Sequence, residues 1–331
     1  VTVTASAPTR VDLAGGTIDI WPLYLFHPGA QTINAALTIR TFARITPRDD
    51  ARIVLASRDL GITTTPLAYD DLPVHEALPL LARLAHAFGA RGLTLETRSD
   101  APAGAGIAGS SALNIAVTAA LARFVGRALD EASLLEVAKN VEAQVIQVPT
   151  GLQDYRPALY GGIATLEMDA FGTRRVPLAV DPAALTARLV VCYTGAPRQS
   201  GINNWDITKR RIDGDADVTA AFDAIVAATT RMRAALEAGD WPAAGQALAD
   251  EWATRTRLAP GVSTPAIDAL LAAAVDAGAW GGKVCGAGGG GCVFALMPPD
   301  RREAVRASWH AAGARVLDTA VEPHGLEVTV S

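Results

Sequence analysis

The chain has 331 residues, half of them hydrophobic, and a net charge of −5 with its basic residues scattered. That balance excludes a nucleic-acid or anionic-membrane footprint and points to a small-molecule partner, and no apolar run of about 18 residues predicts a membrane span. The length exceeds the size at which a single core stops growing, so two domains are expected, in a monomer or homodimer.

Cys192, Cys285 and Cys292 lack metal-ligand spacing and predict structural thiols, and no secretory leader pattern is read at the start, so a cytoplasmic location is expected. His27, His75, His86, His310 and His324 are dispersed and read as surface or packing residues.

In chain order, a β-rich run over residues 1–5 leads into Ala7-Pro8-Thr9-Arg10-Val11-Asp12-Leu13-Ala14-Gly15-Gly16-Thr17-Ile18-Asp19, a strand that breaks at paired glycines. It places a cation, Arg10, and a carboxylate, Asp19, near its two ends, suited to phosphate charge and a polyol hydroxyl. A surface ion pair and a turn aspartate are the structural alternative. Strands are predicted over 32–45, 53–56 and 93–97, and a helix over 80–88, giving an α+β N-terminal domain.

Residues 102–112 read Pro-Ala-Gly-Ala-Gly-Ile-Ala-Gly-Ser-Ser-Ala and run into a helix predicted over 111–125. Gly104, Gly106 and Gly109 let the backbone approach an anion, and the amides of Gly109, Ser110 and Ser111 are predicted to be unpaired donors at a helix start. The same letters fit the GxGxxG of dinucleotide-binding folds. That reading requires a strand after the helix and an acidic residue roughly 20 positions beyond the loop, but here a second helix follows over 131–146, with Asp130 as its N-cap. GxxxxGK[ST] has no match, and a plain connector is the remaining alternative.

Glu142 falls within that second helix, and the Pro149-Thr150-Gly151 break reverses the chain before Asp154. Phosphoryl transfer needs a divalent ion on the phosphate oxygens and a group that orients the attacking hydroxyl, and two carboxylates flanking a reversal divide those tasks. A solvated helix position and an N-cap are the alternative reading. After a hairpin at 161–167, the domain boundary is placed near residue 185, dividing the chain into 1–185 and 186–331. A strand at 189–193, helices over 218–238, 241–258 and 265–277, and a closing helix and strand predict helices on one face of a small antiparallel sheet. Between them, residues 281–292 hold seven glycines in twelve positions, as expected where backbone must approach something closely.

Taken together, the segments at 7–19, 102–112 and 282–292 resemble, in order, the three signature motifs of the GHMP kinase superfamily. The resemblance implies an α+β fold of two domains, the first like the second domain of ribosomal protein S5 and the second ferredoxin-like, with ATP and substrate in the cleft between them. It implies ATP phosphates over Pro102, Gly104, Gly106, Gly109, Ser110, Ser111 and Ala112, and Mg²⁺ at Ser111 and Glu142. Asp154 matches the catalytic aspartate of the sugar-kinase branch, Arg10 its paired arginine, and Asp19 the aspartate on sugar hydroxyls, with Gly16, Thr17 and Gly151 alongside on the substrate side.

Two positions depart from the pattern. Ala108 stands where glycine or serine is common, which is tolerated if its φ is negative. Gly15-Gly16-Thr17-Ile18 replaces the Gly-Glu-His-Thr of galactokinases, which argues against galactose. The strings Leu13–Asp19, Gln153-Asp154-Tyr155 and Tyr193–Arg198 are similar to bacterial kinases of heptose phosphates, which implies an anomeric hydroxyl as acceptor. Trp21, Tyr155 and Asn203 are expected to contribute specificity. A kinase of a non-sugar alcohol, a mevalonate- or homoserine-like reading, is disfavoured by arginine where those branches carry lysine. A non-catalytic regulator is expected to have lost Glu142 or Asp154.

Overall fold

Pairing of a long, mostly apolar strand with a still longer neighbour organises the first half of the chain. The computed structural model describes residues 1–197 and 204–331, so Arg198 and Asn203 lie outside the described residues. β1 (Val3–Ala14) runs antiparallel to β2 (Gln31–Pro47), and a register shift between Pro8 and Thr9 marks where β1 passes from an alternating burial pattern to continuous burial. Its last eight residues are buried on both faces, as a strand covered by helices on either side must be.

β2 is long enough to serve two neighbours. Its second half pairs with β5 (Leu93–Ser99), beside β3 (Ile53–Ser57) and the short β4 (Ile62–Thr63), and its first half pairs with β6 (Ile163–Asp169), which forms a hairpin with β7 (Gly172–Pro177). α1 (Pro79–Ala87), α2 (Gly109–Phe124), α3 (Glu131–Ile146) and α4 (Tyr155–Tyr160) join this sheet in one apolar cluster. Asp130 caps α3, accepting from the Ser133 amide at 2.8 Å.

The second sheet belongs to the C-terminal half. After α5 (Pro182–Thr186) come β8 (Leu189–Tyr193), α6 (Asn204–Ile212), α7 (Ala216–Ala238), α8 (Trp241–Arg255) and α9 (Pro265–Asp276). They are followed by β9 (Gly281–Val284), β10 (Cys292–Leu296), α10 (Arg302–Ala311) and β11 (Arg315–Leu317). The sheet order β11-β8-β10-β9, all antiparallel, is that of a split βαβ unit. The last strand, β12 (Glu327–Val330), returns to pair with β1, so the chain ends in the first sheet.

The two halves share a core. Val11, Leu13 and Ile33 from the first sheet cluster with Met232 of α7, Leu248 of α8 and Phe294 of β10. That shared packing brings the end of β1 against the C-terminal helices, and the cleft opens there.

Candidate active site

The loop before α2 presents backbone. Gly104, Gly106 and Ala108 have φ of 67°, 71° and 61°, so left-handed residues alternate along the loop and turn its amides into one concavity. The first amide to close a helical turn is that of Ala112, bonded to the Ala108 carbonyl at 2.9 Å, which leaves Gly109, Ser110 and Ser111 ahead of it as the open donors. Pro102, Gly104, Gly106, Gly109, Ser110 and Ser111 line a cleft of about 470 Å³, the size of a small-molecule site. Ala112 is fully buried beneath them and does not line it. The φ at Ala108 is positive, contrary to the condition for its easy tolerance, so the alanine sits in a conformation that glycine adopts with less strain.

The glycine-rich segment 281–292 is the other wall. A Cβ on Gly286 would meet the Gly106 carbonyl oxygen at 2.8 Å, and one on Gly291 the Ala105 oxygen at 2.7 Å, so the two loops pack backbone to backbone. Gly286 and Ala287 reach the cleft.

Arg10 ties these loops together. Its Nη1 donates to the Gly106 carbonyl at 3.1 Å and to the Cys285 carbonyl at 2.6 Å, while Nε and Nη2 both donate to Asp154 Oδ1, at 3.0 and 2.6 Å. The guanidinium is buried, and Asp154 keeps a side-chain exposure of 34 %, facing the cleft. Burial opposes the Arg10 charge, but Asp154 and Asp12 outweigh it and raise its pKa. Among the described residues, no hydrogen bond occupies Asp154 Oδ2.

Glu142 is no solvated helix position. It is buried on α3 with Oε1 accepting from Ser110 Oγ at 3.1 Å and Oε2 accepting from Ser111 Oγ at 3.2 Å and the Tyr155 hydroxyl at 2.5 Å. Burial, more than the neighbouring Asp154, raises the Glu142 pKa despite these donors. Among the described residues no cluster of three or more acidic, histidine or cysteine ligands exists. One carboxylate with two hydroxyls is nonetheless a fitting donor set for Mg²⁺, which takes oxygen ligands and shares its remaining positions with phosphates and water. Tyr155, expected to contribute specificity, is buried and turned toward Glu142 instead.

Asp19 lies across the cleft, buried, with Oδ2 accepting from the Gln153 amide at 2.8 Å. A Cβ on residue 151 would fall 1.9 Å from that oxygen, so Gly151 is what admits the carboxylate. Burial pushes the Asp19 pKa up to about 6; the Gln153 amide opposes this, and Asp154 and Asp12 add to it. Thr17 lines the cleft, whereas Gly16 sits beneath it with its carbonyl turned to Arg255. Trp21 is exposed and does not line the cleft.

Sequence reasoning missed Asp59 and Leu60, in the turn after β3, and Asn204, all of which line the cleft and carry no local signature. It also missed four buried charges on the Asp19 side of the cleft, of which Arg255 reaches the cleft lining. Lys283 Nζ lies 3.2 Å from Asp12 Oδ2 and 3.0 Å from Glu251 Oε2, and Arg255 pairs with Glu251 one turn earlier on α8. A charge inside an apolar strand, as at Asp12 and Lys283, is the signal that could have found them.

Comparison with known proteins identifies the family. Residues 74–162 match the model of the GHMP kinases N-terminal domain, and residues 232–315 match that of the GHMP kinases C-terminal domain, together covering more than half of the chain. The chain belongs to the GHMP kinase family. Among family relatives, it is 28 % identical to the D-glycero-alpha-D-manno-heptose 7-phosphate kinase of Campylobacter jejuni, over 91 % of this chain and 91 % of that protein. It is 29 % identical to the galactokinase of Mycobacterium tuberculosis, over 91 % and 90 %. The fold is that of the Lactococcus lactis galactokinase crystallised with galactose, with a TM-score of 0.78 at 19 % identity over 98 % of this chain and 95 % of the other. The α+β, two-lobed GHMP kinase fold expected from the motifs is the one observed.

Proposed function

We propose that this protein is an ATP- and Mg²⁺-dependent kinase that transfers the γ-phosphoryl group to a hydroxyl of a sugar or sugar phosphate, the anomeric hydroxyl of a heptose phosphate above all. One observation carries the reading. Arg10 holds Asp154 with one edge of its guanidinium and the carbonyls of both glycine-rich loops with the other, so the carboxylate faces the phosphate side of the cleft. The similarity to a heptose 7-phosphate kinase and a galactokinase supports a sugar acceptor.

In this mechanism the amides of Gly109, Ser110 and Ser111 receive the phosphates of ATP at the start of α2, where the helix dipole favours negative charge. Ser111 and Glu142 would hold Mg²⁺, which when bound neutralises charge on the phosphate oxygens. Asp19 accepts hydrogen bonds from acceptor hydroxyls and fixes the ring. Asp154 orients the attacking hydroxyl and takes its proton on Oδ2 as the new O–P bond forms and the bond to the ADP oxygen breaks. Arg10 keeps Asp154 in place and offsets charge on the transferring phosphoryl.

The test is ADP release from ATP and Mg²⁺ across a panel of D-glycero-D-manno-heptose 7-phosphate, other sugar phosphates, free hexoses including galactose, mevalonate and homoserine. Turnover is expected with the heptose phosphate or another sugar. Turnover confined to mevalonate or homoserine would remove the sugar reading, and ATP binding without any turnover would favour a regulator.

A further inference from the structure

The four buried charges on the Asp19 side of the cleft have no part in the chemistry just described. Asp12, Glu251, Arg255 and Lys283 are all almost completely buried, and their formal charges cancel. A buried ion network of this kind is weak evidence for stability, since apolar residues of similar size often serve as well. Among the described residues, the hydrogen bonds it makes beyond itself go to the loop that carries Asp19, and Arg255 also reaches the lining of the cleft. Arg255 Nη1 donates to Thr17 Oγ1 at 3.2 Å and Nη2 to the Gly16 carbonyl at 2.9 Å.

That loop needs holding. Thr17 has a φ of 78°, a left-handed conformation unfavourable for a β-branched residue, which persists only where the surroundings impose it. Its carbonyl then accepts from the Ile20 amide at 3.2 Å, closing the turn that has Asp19 at its third position. Gly16 has no freedom beneath it, because a Cβ there would lie 2.0 Å from Asp12 Oδ2.

We propose that Arg255 is a positioning residue for the acceptor: from α8 it grips Gly16 and Thr17 and so holds Asp19 at the cleft. Glu251 and Asp12 fix the guanidinium, and Lys283, from the glycine-rich segment 281–292, balances the two carboxylates. An arginine is required because one planar group must donate to Glu251, a carbonyl and a hydroxyl at once, which the single ammonium of lysine cannot span. The C-terminal half thereby sets the geometry of an acceptor site whose carboxylate belongs to the N-terminal half. This inference rests on the kinase reading for the role of Asp19, and its test is divided so that the two fail separately.

Hydrogen–deuterium exchange on the full chain without substrates, followed by steady-state kinetics, would compare wild type with Arg255→Lys and Arg255→Gln. Amides of residues 15–21 are expected to exchange at least about tenfold faster in both variants, with those of 104–112 unchanged. With the best acceptor of the panel, KM for that acceptor should rise about tenfold while the affinity for ATP stays within about twofold, the scale of losing hydrogen bonds to a charged group. Unchanged exchange at 15–21 overturns the proposal whether or not any panel member turns over. Faster exchange throughout, with ATP affinity falling in step, marks a fold anchor and also overturns it. A panel without turnover removes the kinase reading, and the exchange result then decides the positioning role. Should the Arg255 variants fail to fold, Thr17→Val deletes the hydroxyl and Thr17→Ser keeps it. Only Thr17→Val should reproduce the faster exchange and higher acceptor KM, and identical behaviour of the two would refute the contact.

Discussion

The two sides of the cleft are built from different materials. The side proposed to receive the phosphates is backbone: a neutral loop of left-handed residues and open amides at the start of α2, packed against a second glycine-rich loop. The side proposed to receive the acceptor is charge, with Asp19 and Asp154 beside Arg10, Arg255 and the buried network. Backbone donors suit a ligand common to many enzymes, because a triphosphate is recognised by charge and needs few side chains. Discrimination among acceptors needs directed hydrogen bonds from buried groups that are costly to leave unmet, and that requires side chains. Substitutions should therefore separate the two sides.

The largest effect is expected at Asp154. Asp154→Asn should lower kcat at least about a hundredfold while calorimetry finds ATP affinity nearly intact, and retention of wild-type kcat would remove the residue from the mechanism. Next comes Glu142, where the comparison is sharpest because a side chain serves the phosphate side. Glu142→Gln should weaken Mg²⁺ dependence of nucleotide binding about ten- to a hundredfold, read by titrating Mg²⁺ against ADP binding, and leave binding of the acceptor alone unchanged. The thermal midpoint should not fall, because burial already disfavours the Glu142 charge.

Asp19 offers a test by pH. Its carboxyl titrates near 6 in the folded protein against an ordinary 3.8, so folding favours its neutral form. The stability this provides is fully present below pH 3.8 and is lost as pH rises through about 6. Asp19→Asn should therefore raise stability above that range by about 2–3 kcal/mol, measured by denaturant unfolding, and have little effect on it in acid. Acceptor affinity should move the other way: in the wild type it increases as pH rises through 6 and charged Asp19 accepts stronger hydrogen bonds, and in the variant that dependence disappears. A variant that gains no stability would mean the Asp19 charge is not costly where it sits.

The smallest effect is expected in the backbone of the glycine-rich loop before α2. Ala108→Gly should stabilise the fold by about 1 kcal/mol, because φ is positive there, with ATP affinity held or slightly improved. A loss of stability would show that unfolded-state entropy outweighs the relieved strain.

Much of the phosphate side was legible because its determinants are local. Gly104 and Gly106, ahead of a helix that starts at Gly109, dictate open amides whatever packs around them, and most expected strands and helices lie within a few residues of those observed; 161–167, read as a hairpin, instead holds the single strand β6, whose partner is β7. Ala112 shows the limit of that reading: its amide is spent one turn into α2, a matter of where the helix begins. The sign of φ at Ala108 was likewise not readable from residue type. Gly16 and Tyr155, expected on the substrate side, belong instead to the supports beneath the cleft, Gly16 turned to Arg255 and Tyr155 to Glu142. Nothing in the alanine-rich α8 announces that Arg255 meets a loop more than two hundred residues earlier.

By itself the sequence determined the family, the two-part α+β plan and the open backbone of the glycine-rich loop, since these follow from local backbone preference and motif order. Only the tertiary structure decided which carboxylates are buried and by whom they are held. A charge survives away from water only beside partners that satisfy it, and those partners come from distant segments brought together when the two halves share one core.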